Sequence, residues 1–428
     1  MTYSADTLAN LVRDAEIDPS VYTDPEIFEL EMERIYDRAW LLVGHESQIP
    51  TPGSYVTTSA GRHPIVLLRD QTGMVRAFLN RCAHRGARLC SQDRGRATSF
   101  VCPYHGWVFG TDGELKSLPA PEEFGPDFHF QDWGLRPVAA LDAYRGFVFV
   151  RHAEEGPPLN EFIGDIKTSI DDLVDRAPDG EVEICPVPAR HRYRGNWKLS
   201  FENLNDAHHA RIAHATSVKA ASRVIADLGA EGRHPALGIL KANGMPISQF
   251  GQLDMVTAPF GHSFIFGFID GQRKSAFPAA YESAMTERKG TDEAERILSV
   301  NRHLSLIYPS ATIQGRFQTM RLIQPIRHDL TESVGYVFKL KGAPPEVFEE
   351  ALHYFHVSLS PLSPVLSDDM ALYEGMQTQN TSRLAGRLPA KRWLGAEGRE
   401  TRNAEPATSE AYIRNQFASW TSYMCGAP

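Results

Sequence analysis

At 428 residues the chain is too long for one typical domain and short for three, so two domains are expected. Its 44 basic and 53 acidic side chains leave a net charge of −9, which offers nothing to nucleic acid or to an anionic membrane surface. No apolar run approaches the roughly 20 residues that cross a bilayer, and Met1 to Leu11 lacks the basic flank and apolar stretch of an export signal, so a cytoplasmic location is expected.

In chain order, Asp24-Pro25 reads as an N-cap followed by proline at the first helical position, with Glu26, Glu29 and Glu31 near the positive end of the dipole. That helix is expected to run through Ile27, Leu30, Ile35 and Trp40. From Leu41 to about Arg151 the texture changes to short β-type runs: Ile65 to Leu68 before a turn at Asp70 to Gly73, Trp107 to Phe109 before Thr111-Asp112-Gly113, and Gly146 to Val150. Beyond Glu154 the pattern mixes. Asn196 to His214, free of Gly and Pro, predicts a helix; Phe264 to Ile269 and Val334 to Leu340 predict strands. Pro344-Pro345 opens a helix with Val347, Phe348, Ala351, Leu352 and Phe355 on one face, and Arg387 to Ser409 reads as an irregular arm. Strands interleaved with helices predict an α+β domain.

Inside the β region stand Cys82-Ala83-His84-Arg85-Gly86 and Cys102-Pro103-Tyr104-His105-Gly106-Trp107. Each loop offers one thiolate and one imidazole where a strand gives way to a turn. Such a pair can hold a two-iron cluster, thiolates on one iron and neutral histidines on the other. That exchange raises the reduction potential to about −150 to +300 mV, against about −400 mV for the all-cysteine ferredoxin type. A Cys2His2 zinc site has the same ligands, although zinc knuckles usually pair like with like in each loop. The five cysteines are odd in number and scattered, unlike a disulfide framework; Cys90 and Cys185 read as small buried hydrophobes. There is no G-x-G-x-x-G fingerprint for a dinucleotide, so electrons are expected from another protein.

A second cluster follows: Asn196-Trp197-Lys198, Glu202-Asn203, Asp206-Ala207-His208-His209 and His214. On a helix Asp206 and His209 share a face, where the Asp206 carboxylate is expected to accept the second N–H of the His209 imidazole, while His214 lies about 140° further round than His209. Two imidazoles leave one carboxylate missing from the facial triad of Fe(II) oxygenases, and Ser367-Asp368-Asp369-Met370 offers two far downstream.

The two loops closely resemble the Rieske fingerprint. The chain as a whole resembles the large, catalytic subunits of the aromatic ring-hydroxylating dioxygenases, through the N-terminal helix, the cluster loops, Asn196-Trp197-Lys198 and the histidine helix. In that family Glu-Asn-x-x-Asp-x-Tyr-His-x-x-x-x-His supplies the iron histidines. Laid on Glu202 to His214, the motif implies His209 and His214 as ligands and Asp206 as the catalytic aspartate bridging the two metals. His208 stands where the family has tyrosine. The family's carboxylate ligand is commonly followed by glutamate five residues on, as Asp369 is by Glu374, which implies Asp369 rather than Asp368.

The resemblance further implies an α+β fold in which a small all-β Rieske domain (41–155) is inserted near the start of a larger catalytic domain (1–40 and 156–428) with an antiparallel sheet wrapped by helices. The cofactors would be a [2Fe–2S] cluster on Cys82, His84, Cys102 and His105, and a mononuclear Fe(II). The implied reaction is hydroxylation of an aromatic ring, an aromatic carboxylate in particular, with O2 and electrons from NADH through a separate reductase or ferredoxin. The implied assembly is a homotrimer or three large with three small subunits. Arg321, in Thr319-Met320-Arg321-Leu322-Ile323, falls near where related enzymes place a carboxylate-pairing arginine; a strand cation or interface pair is the plainer alternative. The same iron chemistry also serves oxidative demethylation of quaternary ammonium or methoxy-aromatic compounds, for which an aromatic cage without arginine would speak. A non-enzymatic electron carrier would need only the first domain.

Overall fold

Apolar runs punctuated by Asp-Gly turns dictate hairpins from Leu41 to Arg151, and hairpins are what form. The computed structural model describes residues 3–229, 235–268, 277–382, 384, 386–395 and 404–426. Its contacts divide the chain into Tyr36–Leu159 and a second unit made of Met1–Ile35 with Asn160–Pro428, so the small unit interrupts the large one in sequence.

In the small unit β1 (Leu41–His45), β2 (Ser54–Ala60), β3 (His63–Arg69), β4 (Val75–Leu79), β5 (Arg94–Arg96), β6 (Ser99–Val101), β7 (Val108–Gly110), β8 (Leu115–Ser117), β9 (Ala140–Tyr144) and β10 (Phe147–Arg151) form three antiparallel sheets. Their orders are β4-β3-β2-β5, β8-β7-β6 and β9-β10-β1. The β3–β4 turn is built by Asp70, whose Oδ1 accepts the N–H groups of Thr72 (2.8 Å) and Met74 (3.0 Å). Phe78, Phe100, Trp107, Phe109 and Leu115 pack into one core together with Cys82 and Cys102. The cysteines therefore stand on a rigid base.

In the large unit α1 (Pro25–Glu31) is capped by the Asp24 carboxylate on the Glu26 N–H at 2.7 Å. The expected helix to Trp40 gives way to a π-turn at Met32–Tyr36. Glu31 does not serve the dipole. It is buried, accepting from Trp197 Nε1 (2.9 Å), Lys198 Nζ (2.5 Å) and Trp420 Nε1 (2.6 Å). Removing one member of such a buried pair costs about 3–5 kcal/mol, because the other charge is stranded.

Strands β11 (Val182–Ile184), β12 (Ala189–Tyr193), β13 (Asp254–Thr257), β14 (Ser263–Phe266), β15 (Arg302–Ile307), β16 (Ala311–Gln314), β17 (Thr319–Arg327), β18 (Leu330–Leu340) and β19 (Glu405–Pro406) form one antiparallel sheet. Among the described residues it is nine-stranded, ordered β11-β18-β17-β16-β15-β14-β13-β19, with β12 also on β18. The middle strands are buried on both faces, so helices must cover both. Helices α2 (Trp197–Leu204), α3 (Ala210–Ala213), α4 (Ala215–Leu228), α5 (Pro345–Ser358), α6 (Pro364–Gln379) and α7 (Ala411–Met424) belong to this unit. Val337 of β18 packs with Ala351 and Phe355 of α5. Gly335 is what lets α5 approach, since a Cβ there would stand 2.8 Å from the Phe355 ring.

The helix expected over Asn196 to His214 is broken into α2, a turn, and α3. Asp206 breaks it: its side chain accepts the His208 N–H at 2.8 Å, offering the backbone an alternative to the helical bond. The strand expected to reach Ile269 ends at Phe266, and Ile269 itself lies outside the described residues. The expected irregular arm contains the short pairings of Leu388–Pro389 and Glu405–Pro406; its residues 396–403 lie outside the described ones.

Candidate functional site

The two cluster loops repeat one geometry. Cys82 N–H donates to Ala87 O (2.8 Å) and Gly86 N–H to Cys82 O (3.0 Å); Cys102 N–H donates to Trp107 O (2.7 Å) and Gly106 N–H to Cys102 O (3.0 Å). Gly86 and Gly106 sit at φ of +75° and +70°, a left-handed bend that side chains resist. Both cysteines are buried. Burial raises the Cys82 thiol above its ordinary range, opposed by the His84 N–H and reinforced by the Cys102 thiol beside it. The His84 and His105 rings lie 4.7 Å apart, His84 stacked on Trp107 at 4.8 Å. His84 Nδ1 is buried with no hydrogen-bond partner. His105 is exposed.

Like donors thus neighbour like donors, thiol beside thiol and imidazole beside imidazole. A tetrahedral zinc would gather all four donors at bond lengths of roughly 2.0–2.3 Å, leaving them under about 4 Å from one another. Among the described residues, the group of three or more such side chains whose donor atoms all lie within 4.8 Å is His209, His214 and Asp369, and these four are not in it. The donor chemistry and the orphaned His84 nitrogen fit a two-iron cluster with two thiolates and two neutral histidines. Cys90 takes no part: burial pushes its thiol up to about 12, and its backbone is held by the Asn80 side chain.

The second site is assembled at the broken end of α2. Asn196 caps that helix, accepting the Lys198 N–H at 3.1 Å, and donates its own backbone N–H to Gln377 of α6 at 2.9 Å. This tie sets α6 beside α2 and brings Asp369 to the histidines. Asp369 Oδ1 lies 3.7 Å from His209 Nε2 and 3.6 Å from His214 Nε2. The opposite ring nitrogens are engaged: His209 Nδ1 faces the Asp206 carbonyl oxygen at 2.6 Å, and His214 Nδ1 faces Asp368 Oδ2 at 3.3 Å. Both Nδ1 atoms can therefore carry the proton and both Nε2 atoms can bind a metal.

Burial pushes the Asp369 carboxyl up to about 6, against the pull of His209, Asn203 and Arg321. Burial also lowers His214, against Asp368. Asp369 with the two Nε2 atoms makes a two-histidine, one-carboxylate donor set, and Fe(II) suits it. Asn203, to which its motif alone gives no role, donates Nδ2 to Asp369 Oδ1 and meets His209 Nε2, each at 3.1 Å. His208 uses only its backbone toward Asp206.

One expectation about Asp206 needs correction. Its carboxylate does not accept from the His209 ring; the carbonyl does. The carboxylate takes the His208 N–H and faces Arg392 Nη1 at 3.5 Å, itself paired with Glu410 at 2.7 Å. Asp206 and His209 do not share a helical face because the chain is not helical there.

His209, His214 and Asp369 open onto a cavity of about 330 Å³ with Leu204, Ile265 and Leu359 among its apolar lining residues. Arg321 of β17, 6% exposed, also lines it, and its Nη2 is buried without a hydrogen-bond partner. Burial lowers the guanidinium from its ordinary value, partly offset by Tyr373, Tyr354 and Asp369. Nearby, Tyr354 accepts from Gln314 Nε2 at 2.9 Å and stacks on Phe317.

The family model described as "Rieske [2Fe-2S] domain" matches residues 39–140. The chain is 31% identical to the anthranilate 1,2-dioxygenase large subunit of Acinetobacter baylyi over 369 residues, 83% of this chain and 76% of that one. It is 31% identical to the toluate 1,2-dioxygenase alpha subunit of Pseudomonas putida over 383 residues, 87% of this chain and 81% of that one. Among solved structures, naphthalene 1,2-dioxygenase from Rhodococcus sp. bound to indole superposes with a TM-score of 0.82 at 25% identity, covering 99% of both chains. With cluster loops on a β unit, and two histidines and a carboxylate on a second unit, the chain belongs to the large (alpha) subunits of the Rieske non-haem iron aromatic ring-hydroxylating dioxygenases, enzymes that carry a [2Fe–2S] cluster and a mononuclear iron.

Proposed function

We propose that this oxygenase hydroxylates an aromatic carboxylate, with Arg321 binding the carboxylate of the substrate. The observation that carries the reading is the Arg321 guanidinium, buried, with Nη2 unpartnered, on the wall of the cavity that His209, His214 and Asp369 share. An unsatisfied buried donor costs about 1–3 kcal/mol, and a planar bidentate anion removes that cost. Two relatives whose names specify aromatic acids, anthranilate and toluate, support it. An ammonium substrate, as in oxidative demethylation, is disfavoured by a cation in the wall.

Cys82, His84, Cys102 and His105 are assigned to the cluster, and His209, His214 and Asp369 to the iron. When bound, the cluster supplies electrons and the iron supplies oxygen activation. The chain's own residues do the rest. Arg321 orients the acid, the apolar walls hold the ring and keep water out, and the Asp206 carbonyl behind His209 keeps that ring's Nε2 turned toward Asp369. Electrons are assigned to NADH through a separate reductase or ferredoxin. The assembly is read as a trimer, alone or with small subunits, in which Asp206 links one subunit's iron to the next subunit's His105. The test is single turnover of the reduced, iron-loaded protein with benzoate, anthranilate and naphthalene, products identified by mass spectrometry. Oxidised acid with unreacted naphthalene is expected; naphthalene diol with unreacted acids would overturn the reading.

A further inference from the structure

The two histidines are held from behind by different groups. His209 Nδ1 meets a neutral backbone carbonyl at 2.6 Å, whereas His214 Nδ1 meets the Asp368 carboxylate at 3.3 Å. Asp368 and Asp369 are consecutive on α6, so their side chains leave the helix about 100° apart. His214 stands against both: Nε2 faces Asp369 and Nδ1 faces Asp368. Its side chain is 2% exposed, so bulk solvent does not reach Nδ1, while Asp368 keeps 30% of its side chain in solvent. Nothing else contacts that nitrogen among the described hydrogen bonds.

We propose that Asp368 is a positioning residue for iron binding, its carboxylate accepting the His214 Nδ1–H and so fixing the ring with Nε2 toward the metal. An acceptor behind a ligating imidazole sets its tautomer and ring orientation, and losing it weakens metal binding by about 10–100-fold. The aspartate pair therefore divides its labour, one carboxylate toward the metal and the other behind a ligand. The proposal rests on His214 being an iron ligand.

The experiment uses the full protein with its cluster in place. Iron is stripped from the mononuclear site by chelation, then Fe(II) is titrated back in competition with the chelator. The ferrous site is also read by the electron paramagnetic resonance of its nitric oxide adduct. Asp368→Ala is expected to weaken Fe(II) binding about 10–100-fold and to change the adduct spectrum, with cluster absorbance and melting temperature unchanged. Asp368→Asn, whose amide oxygen still accepts from Nδ1, is expected to recover most of the affinity. Wild-type affinity and spectrum in Asp368→Ala overturn the proposal. So does a loss of roughly tenfold or more in Asp368→Asn, which decides the matter alone should Asp368→Ala fold poorly. His214→Ala separates the two readings: if it keeps its iron, the ligand assignment fails, whereas wild-type behaviour confined to the Asp368 variants refutes only the positioning role.

Discussion

Replacing Arg321 with methionine should move activity and stability in opposite directions. The guanidinium is buried in β17, its Nη2 lacks a partner, and no carboxylate lies within ion-pairing distance of it among the described residues. Methionine fills similar volume without a charge. Removing the unsatisfied donor should stabilise the substrate-free enzyme by about 1–3 kcal/mol, as replacing buried charge by packed apolar groups often does. Substrate binding changes the sign. Truncating one partner of a buried, hydrogen-bonded charge pair costs about 2–5 kcal/mol, which at about 1.4 kcal/mol per decade is a fall of roughly 30- to 3000-fold in kcat/KM for the acid. The methyl ester of the same acid lacks the charge and should be affected far less. The assay is the acid-to-ester ratio of kcat/KM in wild type and Arg321→Met, with melting curves for both. If the ratio is unchanged, Arg321 does not bind the carboxylate. If the variant melts lower, the arginine is a structural cation and the cavity argument falls with it.

His209→Ala and His214→Ala are expected to lose the mononuclear iron while keeping the cluster absorbance, and His208→Ala to keep both; metal analysis that finds iron lost only from His208→Ala would move the register by one residue. Asp369→Ala should behave like the two histidine variants. His84→Cys should retain a cluster of lower potential, since an anionic ligand replaces a neutral one, and an unchanged redox titration removes His84 from the ligand set. Asp206→Asn keeps an acceptor for the His208 N–H but loses the charge facing Arg392; both metals should stay, while cluster reoxidation by O2 with substrate slows roughly tenfold or more. Reoxidation at the wild-type rate sinks the linking role of Asp206. Glu202, which accepts from Tyr22 at 2.9 Å, is pushed up to about 7 by burial, against the Tyr22 hydroxyl and Lys198. Its folded value lies above the unfolded one, so its contribution to stability is full below about 4.5 and is lost as pH rises through about 7. Glu202→Gln should flatten the pH dependence of unfolding between these limits, by on the order of 1–3 kcal/mol; an unaltered profile refutes the shift.

Local chemistry was legible in the residues. The Cys-x-His and Cys-x-x-His loops, each closed by a glycine that must bend left-handed, carry their geometry within a few residues. The α+β pattern, the Asp24 cap and the run from Val334 to Leu340 were legible for the same reason: propensity, capping and period act over one or two turns of chain.

What the sequence could not decide depends on elements that meet only in the folded chain. Whether residues 205–209 stay helical turned on one competing hydrogen bond from Asp206, and with it which Asp206 oxygen faces the His209 ring. Resemblance to the family favoured Asp369, with Glu374 five residues on, but only the packing of α6 on α2, tied through Asn196 and Gln377, sets Asp369 before both Nε2 atoms and Asp368 behind His214. Arg321 could have been any strand cation until Gly335 let α5 close over β18 and left its guanidinium on the cavity wall. Residues more than 150 positions apart meet because buried apolar area, which is indifferent to sequence separation, chooses the packing; the direction in which each polar group then points follows from that choice.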